Sequence, residues 1–96
     1  MSEILNELKT GNHVVKLWAD WCGPCKAYAP VFKEATEGVT VAKVHEIDVD
    51  AHSELAQHFG VRGIPTTLFI KEGQVLEARA GTMTAAEIKA EILKLS

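Results

Sequence analysis

Positive charge is sparse in this 96-residue chain: ten Lys and Arg stand against thirteen Asp and Glu, net charge -3, with the basic residues scattered. Nucleic acid needs a basic stripe or face, so no nucleic-acid partner is expected. Long apolar runs are also missing. None approaches the ~20 residues of a spanning helix, and Glu3 and Glu7 stand where a secretory signal would have a basic start and an apolar stretch. No membrane association is expected. Only two cysteines occur, and His13, His45, His52 and His58 are dispersed, with no second Cys pair and no His pair four apart. A tetrahedral zinc site needs four ligands, so no metal is expected and the histidines read as solvated surface groups. A chain of this size, without repeats, linkers or low-complexity tracts, is one domain over residues 1–96, here expected to be a monomer.

The periodicity predicts eight elements. Ile4, Leu5 and Leu8 share one side of a short helix that Gly11 can close. His13 to Ala19 is a strand, apolar on both faces except at Lys16, as expected in a sheet covered on both sides. A helix from about Cys22 to Glu37 repeats Tyr28, Val31, Phe32 and Ala35 at helical spacing, with Pro30 inside it removing one backbone donor and expected to kink it. Val39 to Val49 is a second strand and Ser53 to Phe59 a short helix stopped by Gly60. Thr66 to Ile70 and Val75 to Ala80 form an antiparallel hairpin around Lys71-Glu-Gly-Gln74. Thr84-Ala-Ala-Glu87 is a capping box opening the last helix, whose Ala85, Ile88, Ile92 and Leu95 form its apolar stripe. Strand-helix-strand units favour right-handed parallel crossovers and the hairpin adds antiparallel pairing, which gives an α/β mixed sheet between two helical layers.

Cys22 and Cys25 carry the chemistry. Positions i and i+3 are neighbours on a helix, about 5–6 Å apart at the β-carbons, within reach of a disulfide. Both sit where a helix begins after a strand, so unsatisfied amides and the positive dipole end favour a thiolate. Cys22 at the cap is the expected nucleophile, with an exposed sulfur; Cys25, in the first turn, is expected to be shielded and placed for a second attack. Gly23 leaves room for a partner backbone, and Pro24 removes a donor that the helix leaves free anyway. Without a secretory signal or spanning segment a cytoplasmic protein is expected, in a reducing compartment where a lone cysteine pair is more often catalytic or metal-binding than structural.

Trp21-Cys-Gly-Pro-Cys-Lys26 with Ala29-Pro30, then Gly60-Val-Arg-Gly-Ile-Pro-Thr66, then Gly73 and Gly81, resembles the thioredoxin family from about Val14 to the C-terminus. The resemblance implies the thioredoxin-like three-layer sandwich and a dithiol-disulfide oxidoreductase that reduces protein disulfides without a bound cofactor. A thioredoxin reductase-like electron donor would recharge it. Cys22 would be the nucleophile and Cys25 the resolving cysteine. Pro65 would be cis, leaving the Ile64 backbone free to pair with an extended substrate segment. Trp21, Ile64 and the Ala80-Gly81 turn would supply the apolar contact surface. A reading from a different class is a binding module that grips a partner with the same patch and turns nothing over.

Two departures from the family stand out. Thioredoxins usually place another strand before the first helix, and here only Met1 precedes Ser2, so four strands are expected where the family has five. That leaves one sheet edge open. The second departure is Lys16, six residues before Cys22, where the family usually has a buried aspartate. Counting back from Pro65 sets Glu46 where the aspartate's lysine partner usually stands; a competing register, through Val41-Ala-Lys43, sets Lys43 beside Lys16 without a counter-charge. In the first register Lys16 and Glu46 are a charge-swapped, partly buried pair beneath the cysteines, candidates for proton transfer at Cys25. Alternatively, the lysine snorkels to solvent.

Overall fold

Seven residues, Asn12–Trp18, form the strand on which everything else is laid. In the computed structural model, which describes residues 3–96, this strand β1 follows helix α1 (Glu3–Glu7) and is followed by α2 (Gly23–Thr36), β2 (Lys43–Asp48), α3 (Ser53–His58), β3 (Thr66–Lys71), β4 (Gln74–Ala80) and α4 (Ala85–Leu93). Met1 and Ser2 lie outside the described residues. The sheet order is β2-β1-β3-β4. β1 runs parallel to β2 and antiparallel to β3, and β3 is antiparallel to β4. Among the described residues the sheet has four strands, with β2 and β4 at its edges.

The alternation of side chains along a strand sends neighbours to opposite faces. Val14 packs with Tyr28, Phe32, Phe69, Ile88 and Ile92, beneath α2 and α4. Val15 and Leu17 pack with Leu5, Ile47, Leu55, Leu68 and Ile70, beneath α1 and α3. An apolar run on both faces thus becomes a sheet covered by helices on both sides, the expected three layers. Tyr28 and Phe32 sit one helical turn apart and are almost wholly buried; truncating such an aromatic to alanine costs about 3–5 kcal/mol.

The helix α2 passes through Pro30 without interruption. The hairpin closes through Glu72 and Gly73, both with positive φ (50° and 82°), the pairing a two-residue turn of the I′ kind requires. The α4 capping box forms as expected: Glu87 N donates to Thr84 Oγ1 at 3.1 Å, and Thr84 N donates to Glu87 Oε1 at 2.9 Å.

β2 corrects one expectation. It begins at Lys43 and not at Val39, because a strand needs a partner and β1 starts at Asn12, with His13 opposite Lys43. The preceding Val39 and Ala42 pack against the α2–α4 cluster instead, and the Asn12 side chain donates to the Val41 carbonyl at 3.1 Å.

The histidines correct another. His13 is 4% exposed and its Nδ1 lies 3.0 Å from His45 Nε2. Two residues that read as solvated form a side-chain pair because parallel pairing brings the start of β1 against β2.

Candidate active site

The turn that ends β1 presents Cys22 as the N-cap of α2, in extended conformation, with its sulfur accepting the Cys25 amide at 3.1 Å. That amide is one of the donors a helix start leaves unpaired, and it is held ready for a sulfur anion. Cys22 and Cys25 are joined as a disulfide, with their α-carbons 5.3 Å apart. The local sequence produces this arrangement: Pro24 in the first helical turn asks for no backbone donor, and a β-carbon at Gly23 would meet no atom within 4 Å.

Cys22 was expected to expose its sulfur and Cys25 to hide it. Both residues are buried, at 5% and 3% exposure. In the oxidised pair they pack with Ala19 against Trp18, Val49 and Ile64, so the cover comes from the loop before β3 as well as from the helix.

That loop contains the cis Ile64-Pro65 bond implied by the family resemblance. The Ile64 carbonyl oxygen lies 3.7 Å from Cys22 Sγ, and Gly81 N donates to the Pro65 carbonyl at 2.8 Å. The structure therefore brings Gly23, Pro24, Ile64, Pro65 and Gly81 around Cys22 and Cys25. Trp21 stands beside them, 70% exposed. Its Nε1 donates to Asp50 Oδ2 at 3.0 Å, a contact with no signal in the sequence. On the same side, Trp21, Val49, Val61, Arg62 and Ile64 line an open recess of about 390 Å³.

Beneath the cysteines, Lys16 faces Glu46 directly across the β1–β2 pair. The competing register is excluded, since Lys43 pairs with His13. Lys16 does not snorkel: its side chain is 3% exposed, against 49% for Glu46, and their charged atoms are 3.8 Å apart. The ammonium lies 5.2 Å from the centre of the Phe32 ring, close enough for a cation–π contact. Burial pulls the Lys16 pKa below its ordinary value, with the Glu46 carboxylate opposing. Lys16, Trp18, Asp20, Cys25, Lys26 and Glu46 line one recess of about 210 Å³. The Trp18 Nε1–H is buried without a hydrogen-bond partner among the described residues. No group of three or more His, Cys, Asp and Glu able to hold a metal occurs among the described residues.

Two sulfurs that bond across a single helical turn, under backbone that can receive an extended chain, are suited to thiol–disulfide exchange. Fold and site together define a thiol-disulfide oxidoreductase of thioredoxin-like architecture. The thioredoxin family model matches residues 2–94. A thioredoxin of Mycobacterium bovis is 42% identical over 80 residues, covering 82% of this chain and 69% of that protein. The thioredoxin of Malassezia sympodialis is 41% identical over 70 residues, 71% of this chain and 67% of that one. The match to a putative thioredoxin 2 of Streptomyces coelicolor, 36% identical, spans 78% of this chain but only 56% of that protein. Among solved structures, a thioredoxin of Nicotiana alata superposes with a TM-score of 0.84 at 38% identity, covering 95% of this chain and 80% of that one. The chain belongs to the thioredoxin family.

Proposed function

We propose that this chain, as one domain over residues 1–96, reduces disulfides of other proteins in the cytoplasm, acting as a monomer and needing no bound cofactor. The Cys22 thiolate attacks one substrate sulfur and forms a mixed disulfide, releasing the other substrate sulfur as a thiolate, which takes up a proton. Cys25, as thiolate, then attacks Cys22 Sγ. The mixed disulfide breaks, the second substrate sulfur leaves, and the Cys22–Cys25 disulfide remains, so two electrons have passed to the substrate. A thioredoxin reductase-like donor returns two electrons and two protons.

The observation that carries this reading is the disulfide at the start of α2, packed against Ile64. Trp21, Ile64 and Gly81 form the contact surface for the substrate, and the backbone around Pro65 pairs with its extended segment. Gly23 and Pro24 keep the approach to Cys22 open and stiff.

The pre-reduced protein should cleave a model protein disulfide, and Cys22→Ser should abolish this. Cys25→Ser should instead accumulate the mixed disulfide, visible by mass spectrometry as a covalent adduct lost on adding dithiothreitol. Equal rates for wild type and Cys22→Ser overturn the reading.

A further inference from the structure

A lysine as enclosed as Lys16 has to be compensated, and its compensation is incomplete. Its one ion-pair partner among the described residues, Glu46, is 3.8 Å away and half exposed, where solvent screens a charge and weakens its hold. The Phe32 ring adds a second weak contact. The other charged groups on the recess are Asp20 and Lys26, both exposed. A buried ammonium left in this condition favours any further negative charge that appears beside it. Cys25 lines the same recess and can supply that charge, because reduction turns a neutral disulfide into a group that ionises.

We propose that Lys16, held as an ammonium in the recess it shares with Cys25, is a positioning residue that promotes ionisation of Cys25 and stabilises the dithiol over the disulfide. The inference rests on the dithiol reading above and deepens it. Ionising Cys25 sends its proton to solvent by way of the recess, past the half-exposed Glu46. The thiolate electron pair then forms the bond to Cys22 Sγ as the substrate sulfur leaves. A cation beside Cys25 makes the thiolate easier to form and the disulfide easier to reduce, so the couple is a stronger oxidant than with a neutral residue at position 16.

Three variants test this. Thiol titration by ultraviolet absorbance and equilibration against glutathione are read across a pH series for wild type, Lys16→Met, Lys16→Arg and Glu46→Gln. Lys16→Met should raise the thiol pKa and shift the equilibrium toward the disulfide by roughly tenfold, the effect of a shift of about one unit. Because the cation favours only the ionised dithiol, the gap between wild type and Lys16→Met should open as pH rises through the thiol pKa. It should close again where Lys16 loses its own proton. Lys16→Arg should restore the wild-type values, and Glu46→Gln should move the thiol pKa the opposite way to Lys16→Met near neutral pH. A structural disturbance would move both variants alike.

Unchanged or lowered thiol pKa values in Lys16→Met overturn the proposal. If that variant fails to fold, a thiol pKa that is raised or unmoved in Glu46→Gln does the same. Wild-type turnover in the disulfide-cleavage assay keeps the two readings apart: if it persists while these shifts are missing, only the role of Lys16 falls.

Discussion

His13 Nδ1 lies 3.0 Å from His45 Nε2, while His13 Nε2 lies 2.7 Å from the Thr10 carbonyl. A carbonyl can only accept, so His13 Nε2 carries a hydrogen; in the neutral pair His13 Nδ1 then accepts from His45 Nε2. The contact joins the end of the α1 turn, β1 and β2 in one polar chain. Glu7, which pairs with Lys43, and Lys43 itself also act electrostatically on His45.

A pH dependence follows from this pair. Burial holds the His45 pKa below its ordinary 6.5, with Glu7 opposing and His13 and Lys43 reinforcing. A histidine whose folded pKa is depressed binds fewer protons folded than unfolded, so stability falls as pH drops through the unfolded value. The denaturant midpoint should therefore decline as pH is lowered below about 6.5. The decline should be shallower in His45→Gln. A midpoint that stays flat in the wild type until the carboxylates titrate counts against this account.

Tyr28 and Thr67 bond through their hydroxyls at 2.8 Å in the buried core. Tyr28→Phe would strand the Thr67 hydroxyl, in a residue with no exposed surface, at a cost of about 1–3 kcal/mol. Urea unfolding should show that loss with an unchanged slope. Burial also pushes the Tyr28 phenol up, so its ionisation should begin above the ordinary tyrosine range.

Asp50 anchors the indole of Trp21 beside the cysteines. Freeing it in Asp50→Ala should raise KM for a protein disulfide by up to about fivefold, equivalent to ~1 kcal/mol of positioning. With a small disulfide that does not reach Trp21, the rate should be unaffected. An equal loss with both substrates would show that Asp50 acts on the sulfurs instead.

Thr84→Ala removes the side-chain acceptor of the α4 capping box and should lower stability by ~1 kcal/mol, read as a lower midpoint in thermal or denaturant unfolding. Turnover below the transition should be unchanged, because α4 packs on α2 through Tyr28, Phe32 and Ala35 and not through the cysteines.

What could be read from the sequence and what could not divide along a physical line. The capping box, the turn at Gly73 and the cysteine spacing are local, and each formed as expected. The layers followed from the alternation of Val14, Val15 and Leu17. The facing of Lys16 and Glu46 came from counting residues, which the strand register bears out. The cis bond before Pro65 came from family resemblance and not from the residues themselves. Features that depend on how distant segments meet stayed hidden: the His13–His45 pair, the Asp50 anchor and the burial of Cys22 under Ile64. The late start of β2 is of the same kind, since Val39 to Ala42 have strand composition but no strand beside them among the described residues.

The first helix is tethered to the rest of the molecule in an uneven way. Glu72 N donates to the Gly11 carbonyl at 2.9 Å, and a β-carbon at Gly73 would stand 3.2 Å from the Lys9 carbonyl oxygen. The hairpin turn and the end of the α1 segment thus meet backbone against backbone. Tolerance to random substitution should be correspondingly lopsided: Lys9 and Thr10 can change freely as far as this junction is concerned, whereas any side chain at position 73 pushes the two segments apart. A mutational scan would find an intolerant glycine in an exposed turn outside the redox pair and could mistake it for a functional residue.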